Sequence, residues 1–212
     1  DRANPITYIS EDDPAFLVQK GDQDCTVPIE STKMLADALS AAGLDVRYDL
    51  LEGVGHGDGF GGSTPVFESE SNIQTVLDFL NTKLDVQAQT QTAPAAATAA
   101  TAAPAPAALP ARGGPGGGMT VVSATPTFKD VAYASTSATQ KLDLYLPAGD
   151  GPFPVVVDVH GGGFMMGDKS NPAGTDELLA NGFAVASVDY RLSGEAKAPA
   201  QIQDIKLSLI HI

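Results

Sequence analysis

Three loops in this 212-residue chain carry groups suited to chemistry: Asp24 in Lys20-Gly21-Asp22-Gln23-Asp24-Cys25-Thr26-Val27-Pro28, His56 in Gly53-Val54-Gly55-His56-Gly57, and the run His160-Gly161-Gly162-Gly163-Phe164. A carboxylate that reaches an imidazole fixes the ring's tautomer and stabilises the imidazolium formed when the ring takes a proton. Glycines, lacking a Cβ, can turn successive backbone N–H groups toward an oxygen that gains negative charge. These are two of the three parts of a nucleophilic acyl-transfer site. The third, a serine in a Gly-x-Ser-x-Gly setting, occurs nowhere in the chain. Gly61-Gly62-Ser63-Thr64-Pro65 comes nearest and lacks the final glycine. Cys25 is a poor substitute, because the carboxylate next to it disfavours a thiolate. Glu11-Asp12-Asp13 are consecutive rather than spaced as ligands and are expected to form a solvated turn, so no metal and no cofactor are expected.

Each of these loops follows a segment that reads as a strand. Residues 15–19 are a short apolar run closed by Gly21, a buried strand opening into the acidic loop. Met34, Leu35, Ala38, Leu39 and Ala42 recur at helical spacing, and Gly43 stops that helix. Residues 46–51 alternate as a second strand leading to His56, and Ile73, Val76, Leu77 and Leu80 mark one face of a following helix. Parallel strands present their C-terminal loops at one edge of a sheet, where Asp24 and His56 can meet. Later in the chain, residues 128–133 and 142–147 alternate as an antiparallel pair. Residues 154–160 read as a buried strand ending in the three glycines. A helix around residues 176–181, a further buried strand at 183–188 and a last helix beginning near Pro199 complete the pattern.

Pro154-Val155-Val156-Val157-Asp158-Val159-His160-Gly161-Gly162-Gly163-Phe164, then Val185-Ala186-Ser187-Val188-Asp189-Tyr190-Arg191-Leu192-Ser193 and the segment from Ala198 to Lys206, resemble the N-terminal half of α/β-hydrolase esterases of the hormone-sensitive-lipase and feruloyl/acetylxylan-esterase type. The G-x-x-D-x-x-V-P pattern of residues 21–28 and the G-x-G-H-G pattern of 53–57 resemble the C-terminal part of the same fold. The resemblance implies Asp24 as the acid, favoured over Asp22 by its offset from Val27-Pro28, and His56 as the base. It implies Gly162 and Gly163 as oxyanion-hole donors, with His160 and Gly161 supporting that loop. Asp189, Arg191 and Asp204 are expected to be structural pairing residues. Lys20 stands where members of the family usually carry a histidine. The implied substrates are small-molecule or polysaccharide-linked esters, with acetyl or feruloyl groups on plant polysaccharide as the expectation.

In that fold the oxyanion segment comes first, the nucleophile follows and the acid and histidine come last. Here the last part precedes the first. Between them, residues 85–118 are an Ala/Pro/Thr run ending in glycines, with little to bury and many residues to order, which predicts a disordered linker. The expected fold class is therefore α/β: two incomplete α/β-hydrolase pieces, each a mostly parallel sheet flanked by helices. Residues 1–84 are expected to be the C-terminal part of one domain and 119–206 the N-terminal part of a second. Residues 207–212 depart from the expected helix continuation and are expected to be a non-native tail, so that His211 carries no function. The chain is expected to begin inside a longer protein. The leading expectation is a fragment of a tandem serine hydrolase cleaving carboxylic esters through a Ser-His-Asp triad, inactive without its serine. The alternative is a non-catalytic permuted module, its pieces folded as one sheet, that binds carbohydrate or a protein partner.

The net charge is −14, with 16 acidic and 5 basic residues up to Asp85 and 10 and 6 from Met119 onward. No basic patch is present to displace counterions from phosphates, so nucleic acid is not an expected partner. No apolar run approaches the roughly 18 residues needed to span a bilayer. A single cysteine rules out an intramolecular disulfide and leaves the compartment open, with a secreted or periplasmic location among the alternatives.

Overall fold

The computed structural model describes residues 4–56, 67, 69–84, 124–170 and 172–212. The expected linker and residues 57–66 lie outside the described residues.

The N-terminal part is a βαβ unit. β1 (Phe16–Gly21) and β2 (Val46–Leu51) pair in parallel, Phe16 opposite Val46 and Gly21 opposite Leu51, with α1 (Ile29–Ala41) as the crossover. α1 turns Ala36 and Leu39 inward, and Gly43 ends it at φ +83°, a conformation that costs a glycine little. α2 (Glu70–Leu84) follows.

The C-terminal part begins with β3 (Phe128–Ala132) and β4 (Lys141–Tyr145), an antiparallel pair with a bulge between Phe128 and Val131. β5 (Val155–Val159), α3 (Thr175–Ala180), β6 (Ala184–Val188) and α4 (Ala200–His211) complete the elements. The sheet order is β3-β4-β6-β5, with β5 and β6 parallel and the other pairs antiparallel. This mixed α/β arrangement with parallel pairs fits an α/β-hydrolase.

Strand register sorts the side chains onto two faces. Tyr145, Val185 and Val156 lie in one row across β4, β6 and β5; the neighbouring row on that face, Asp143, Ser187 and Asp158, is polar. Leu142 and Val188 face the other way and pack with Tyr133, Val131 and Val157. The apolar row is closed by α2. Leu77 of α2 shares a core with Tyr145, Leu178, Phe183 and Val185, with Ile73, Leu80 and Val156 at its margin. Burial of one such leucine contributes about 1.5–3 kcal/mol, so a helix of the N-terminal part helps to hold the C-terminal sheet. A reciprocal amide pair ties the same helix back to β1: Gln19 Nε2 donates to Asn72 Oδ1 at 2.6 Å and Asn72 Nδ2 donates to Gln19 Oε1 at 3.0 Å.

Four expectations differ from what is observed. The four-stranded sheet is mixed rather than mostly parallel, because β3 and β4 form a hairpin and β4 pairs antiparallel with β6, leaving β5 and β6 as its one parallel pair. β5 is an edge strand rather than a buried one, with Val155 and Val159 about 40% exposed, because β6 pairs with it on one side and no described strand pairs on the other. The pieces form two sheets, β1-β2 and the four-stranded one, not the single continuous sheet of the permuted alternative. α4 runs on through residues 207–211, so the expected departure from the helix does not occur: Ala200, Gln201, Asp204 and Ser208 make its buried stripe, and Ser208 Oγ donates to Ile205 O at 2.7 Å.

Candidate active site

Asp24 and His56 meet because the two loops are stitched together at the C-terminal end of β1-β2. Asp22 N–H donates to Leu51 O at 3.0 Å and Gln23 N–H to Val54 O at 2.9 Å, while Gly53 N–H donates to Asp22 Oδ1 at 2.7 Å. Asp22, the rival acid, is therefore occupied in bracing the histidine loop. Gly21 has to be glycine: a Cβ there would lie 2.2 Å from Val54 O. Across this junction His56 Nδ1 lies 2.9 Å from Asp24 Oδ2.

Each oxygen of Asp24 has two partners. Oδ1 accepts from Thr26 N–H at 2.8 Å and Val27 N–H at 2.9 Å; Oδ2 accepts from His56 and from Lys20 Nζ, which also donates to Val27 O at 2.6 Å. Burial alone would raise the carboxyl's pKa, but the hydrogen bonds from Lys20, Val27 N–H, His56 and Thr26 N–H overcome it and hold the group well below the usual carboxylate range. An ionised carboxylate only accepts, so a neutral His56 ring in this contact carries its proton on Nδ1. Cys25 is exposed with a free thiol.

The glycine run leaves the C-terminal end of β5 and turns at once. Met165 N–H and Met166 N–H both donate to Gly162 O, at 3.0 and 3.3 Å. Gly162 sits at φ +115°, and a Cβ on it would lie 2.0 Å from Met166 O; Gly163 follows at φ +59°. Among the described residues, neither Gly162 N–H nor Gly163 N–H donates to another protein group. His160 holds this turn rather than opening toward it. Its Nδ1 donates to Gly161 O at 2.8 Å, its ring stacks on Tyr190 at 4.4 Å, and Tyr190 Oη donates to His160 O at 2.9 Å. Farther along the loop, Ser193 N–H and Oγ both donate to Phe164 O, at 2.7 and 2.8 Å.

The residues expected to pair do so. Arg191 Nε and Nη2 grip Asp204 at 2.8 and 2.7 Å, Arg191 N–H donates to it at 3.0 Å, and Gln140 Nε2 adds a fourth donor at 2.7 Å to this fully buried carboxylate. Asp189 accepts from Lys169 N–H at 2.7 Å, though burial still pushes its carboxyl up. Lys169 Nζ reaches Asp130 and Asp143 at 2.9 and 3.0 Å, tying the segment beyond the glycine turn to β3 and β4. Among the described residues no cluster of His, Cys, Asp and Glu could hold a metal, and no helix is long and apolar enough to cross a membrane.

The sequence reading missed the contacts of Lys20, Tyr190 and Lys169. Lys20 and Lys169 each carry a weak signal, as cations placed in or beside otherwise apolar strands and turns. Tyr190 carries none, since an aromatic residue after a strand reads equally well as core.

The glycine turn and Asp24 fall within the segments that compare with known proteins. The BD-FAE family model matches residues 1–39 and 142–212, more than half of the chain. The chain belongs to this family. It is an α/β-hydrolase esterase sequence, matched in part of its length; His56 lies outside the matched segments. Esterase LipI of Mycobacterium tuberculosis (strain ATCC 25618 / H37Rv) is 51% identical over 53 residues, 24% of this chain and 17% of LipI. Carboxylic ester hydrolase LipN of the same strain is 39% identical over 62 residues, 28% of this chain and 16% of LipN. The chain thus spans less than a fifth of these relatives' lengths. Among solved structures, a truncated carbohydrate esterase from gut microbiota is 34% identical with a TM-score of 0.37, covering 40% of this chain and 31% of that one. Esterase B from Lactobacillus rhamnosis is 36% identical with a TM-score of 0.34, covering 39% and 28%.

Proposed function

We propose that the chain carries the acid–base pair and the oxyanion loop of a serine-type carboxylic ester hydrolase without the serine itself. The observation that supports this most is the 2.9 Å contact between His56 Nδ1 and a carboxylate held ionised by its other donors. In the complete site a serine attacks the ester carbonyl, His56 Nε2 takes the hydroxyl proton and returns it to the leaving alcohol, and Asp24 stabilises the imidazolium between these steps. Gly162 and Gly163 N–H groups receive the developing oxyanion. The three groups come from two parts of the chain that read as the end of one hydrolase domain and the start of another. Without the nucleophile they do not turn over substrate. Small-molecule or polysaccharide-linked esters are the substrate class, in keeping with relatives named esterase, carboxylic ester hydrolase and carbohydrate esterase; acetyl and feruloyl groups follow from the family resemblance of the motifs alone.

The packing of α2 on the second sheet supports one part of the permuted-module alternative, the folding of the halves on each other. The two separate sheets do not supply the continuous sheet it needs. Hydrolysis of 4-nitrophenyl acetate by the purified chain tests the proposal. The expected result is a rate equal to that of Asp24→Asn and of buffer; turnover abolished by a serine-directed phosphonate would overturn it.

A further inference from the structure

Lys20 ends in a place where a cation has a specific effect. It lies near the end of β1, its side chain and that of Asp24 are each only 5% exposed, and its Nζ contacts Asp24 Oδ2, the same oxygen that faces His56. The groups reaching Asp24 are Lys20 from β1, His56 from the loop after β2, and the N–H groups of Thr26 and Val27 from its own loop. Asp22 is turned away to Gly53 N–H, and Cys25 is exposed. Of the groups that hold Asp24, only Lys20 brings a permanent charge, and it bridges the carboxylate to Val27 O, closing the loop from strand end to exit at 2.6 Å.

We propose that Lys20 is a positioning residue for the acid–base pair: its ammonium keeps Asp24 ionised and turned with Oδ2 toward His56. This rests on the reading of Asp24 and His56 given above. A buried carboxylate beside an imidazole takes up a proton readily unless something compensates its lost hydration. Two backbone N–H groups hold Oδ1 and do not reach Oδ2. Lys20 does, at the oxygen that His56 uses. A protonated Asp24 could neither fix the ring's tautomer nor stabilise an imidazolium, so the ammonium preserves the acid's function although it makes no contact with substrate.

The test uses the intact chain, labelled with 13C, and follows Asp24 Cγ through an acid titration in the parent, in Lys20→Met and in Lys20→Gln. Glutamine keeps an N–H donor for Val27 O and removes the charge. The expected result is that Asp24 protonates at least about one pH unit higher in both variants than in the parent. A loop-closing role alone predicts the higher midpoint for methionine and the parent's midpoint for glutamine, and that outcome overturns the proposal. A second measurement needs no substitution. In the parent the Lys20 ammonium protons, buried against Asp24, are expected to exchange slowly enough to give a 1H–15N cross-peak that moves when Asp24 protonates. A Lys20 ammonium that exchanges like those of exposed lysines, or does not respond to Asp24, contradicts it. Failure of the hydrolase reading is separately visible, as phosphonate-sensitive turnover by the parent chain.

Discussion

Leu77→Ala probes whether the two parts of the chain hold each other together. Leu77 is 3% exposed and packs on Tyr145, Leu178, Phe183 and Val185, all from the other part of the chain. Leucine-to-alanine changes in cores cost about 2–5 kcal/mol, a transfer contribution plus a contribution from the space left behind. Leu77 already borders a cavity of about 260 Å³, shared with Ile73, Val76, Leu80, Val156 and Leu178. Truncation therefore enlarges an existing space, and fewer close contacts are lost than in a tightly filled site. The expected loss is about 2–3 kcal/mol, in the lower part of that range. With a urea dependence of about 1–3 kcal/mol per molar, the midpoint falls by about 1 M. Hydrogen exchange locates the effect: amides of β6, which Leu77 covers but to which it is distant in sequence, should lose protection together with those of α2. If β6 amides exchange as in the parent while α2 alone loosens, α2 does not cover that sheet in solution and the shared core is wrong.

Three other substitutions have defined outcomes. Arg191→Met leaves the buried Asp204 carboxylate without its bidentate partner. It should cost far more in urea midpoint than the roughly 0.5 kcal/mol of a surface change, and adding Asp204→Asn should recover most of the loss. Asp158, half-buried on the polar row and bonded by Ser187 Oγ at 3.0 Å, has its pKa raised by desolvation more than Ser187 and His160 lower it. Its folded form thus binds a proton more readily than the unfolded chain, so it costs stability above its folded pKa and that cost disappears as pH falls toward about 3.9. Asp158→Asn should therefore raise the urea midpoint at neutral pH, with the difference closing on acidification; a constant difference would exclude this cause. Gly162→Ala puts a Cβ 2.0 Å from Met166 O at φ +115°. The amide resonances of residues 161–167 should shift together, at a cost of about 1–3 kcal/mol, because the clash is with backbone and the turn itself has to move.

Periodicity made much of the architecture legible. Alternation marked β2, β3 and β4, and helical spacing marked α1 and α2, because each has one face toward a core. The pairing of Asp24 with His56 was readable because parallel strands send their following loops to one edge. What could not be read depends on what lies beside an element. The valines of β5 look the same in a central strand and at an edge; only the sheet order shows that its outer side is unpaired. The apolar face of α2 shows that it must be covered, not that Tyr145 and Phe183, far along the chain, cover it. Lys20 joins Asp24 across a loop, where no periodic signal exists. The continuation of α4 left a fainter mark, because residues 200, 201, 204 and 208 are at helical spacing but three of them are polar.

Whether Asp24 orders His56 is read most directly from the two ring nitrogens of His56 by 15N NMR, with the imidazole neutral at alkaline pH. The geometry predicts the proton on Nδ1 in the parent chain, and a shift toward Nε2 in Asp24→Asn, whose amide no longer presents an anion to the ring. A parent His56 protonated mainly on Nε2, or a tautomer indifferent to Asp24→Asn, would contradict the assignment of Asp24 and His56 as an acid–base pair.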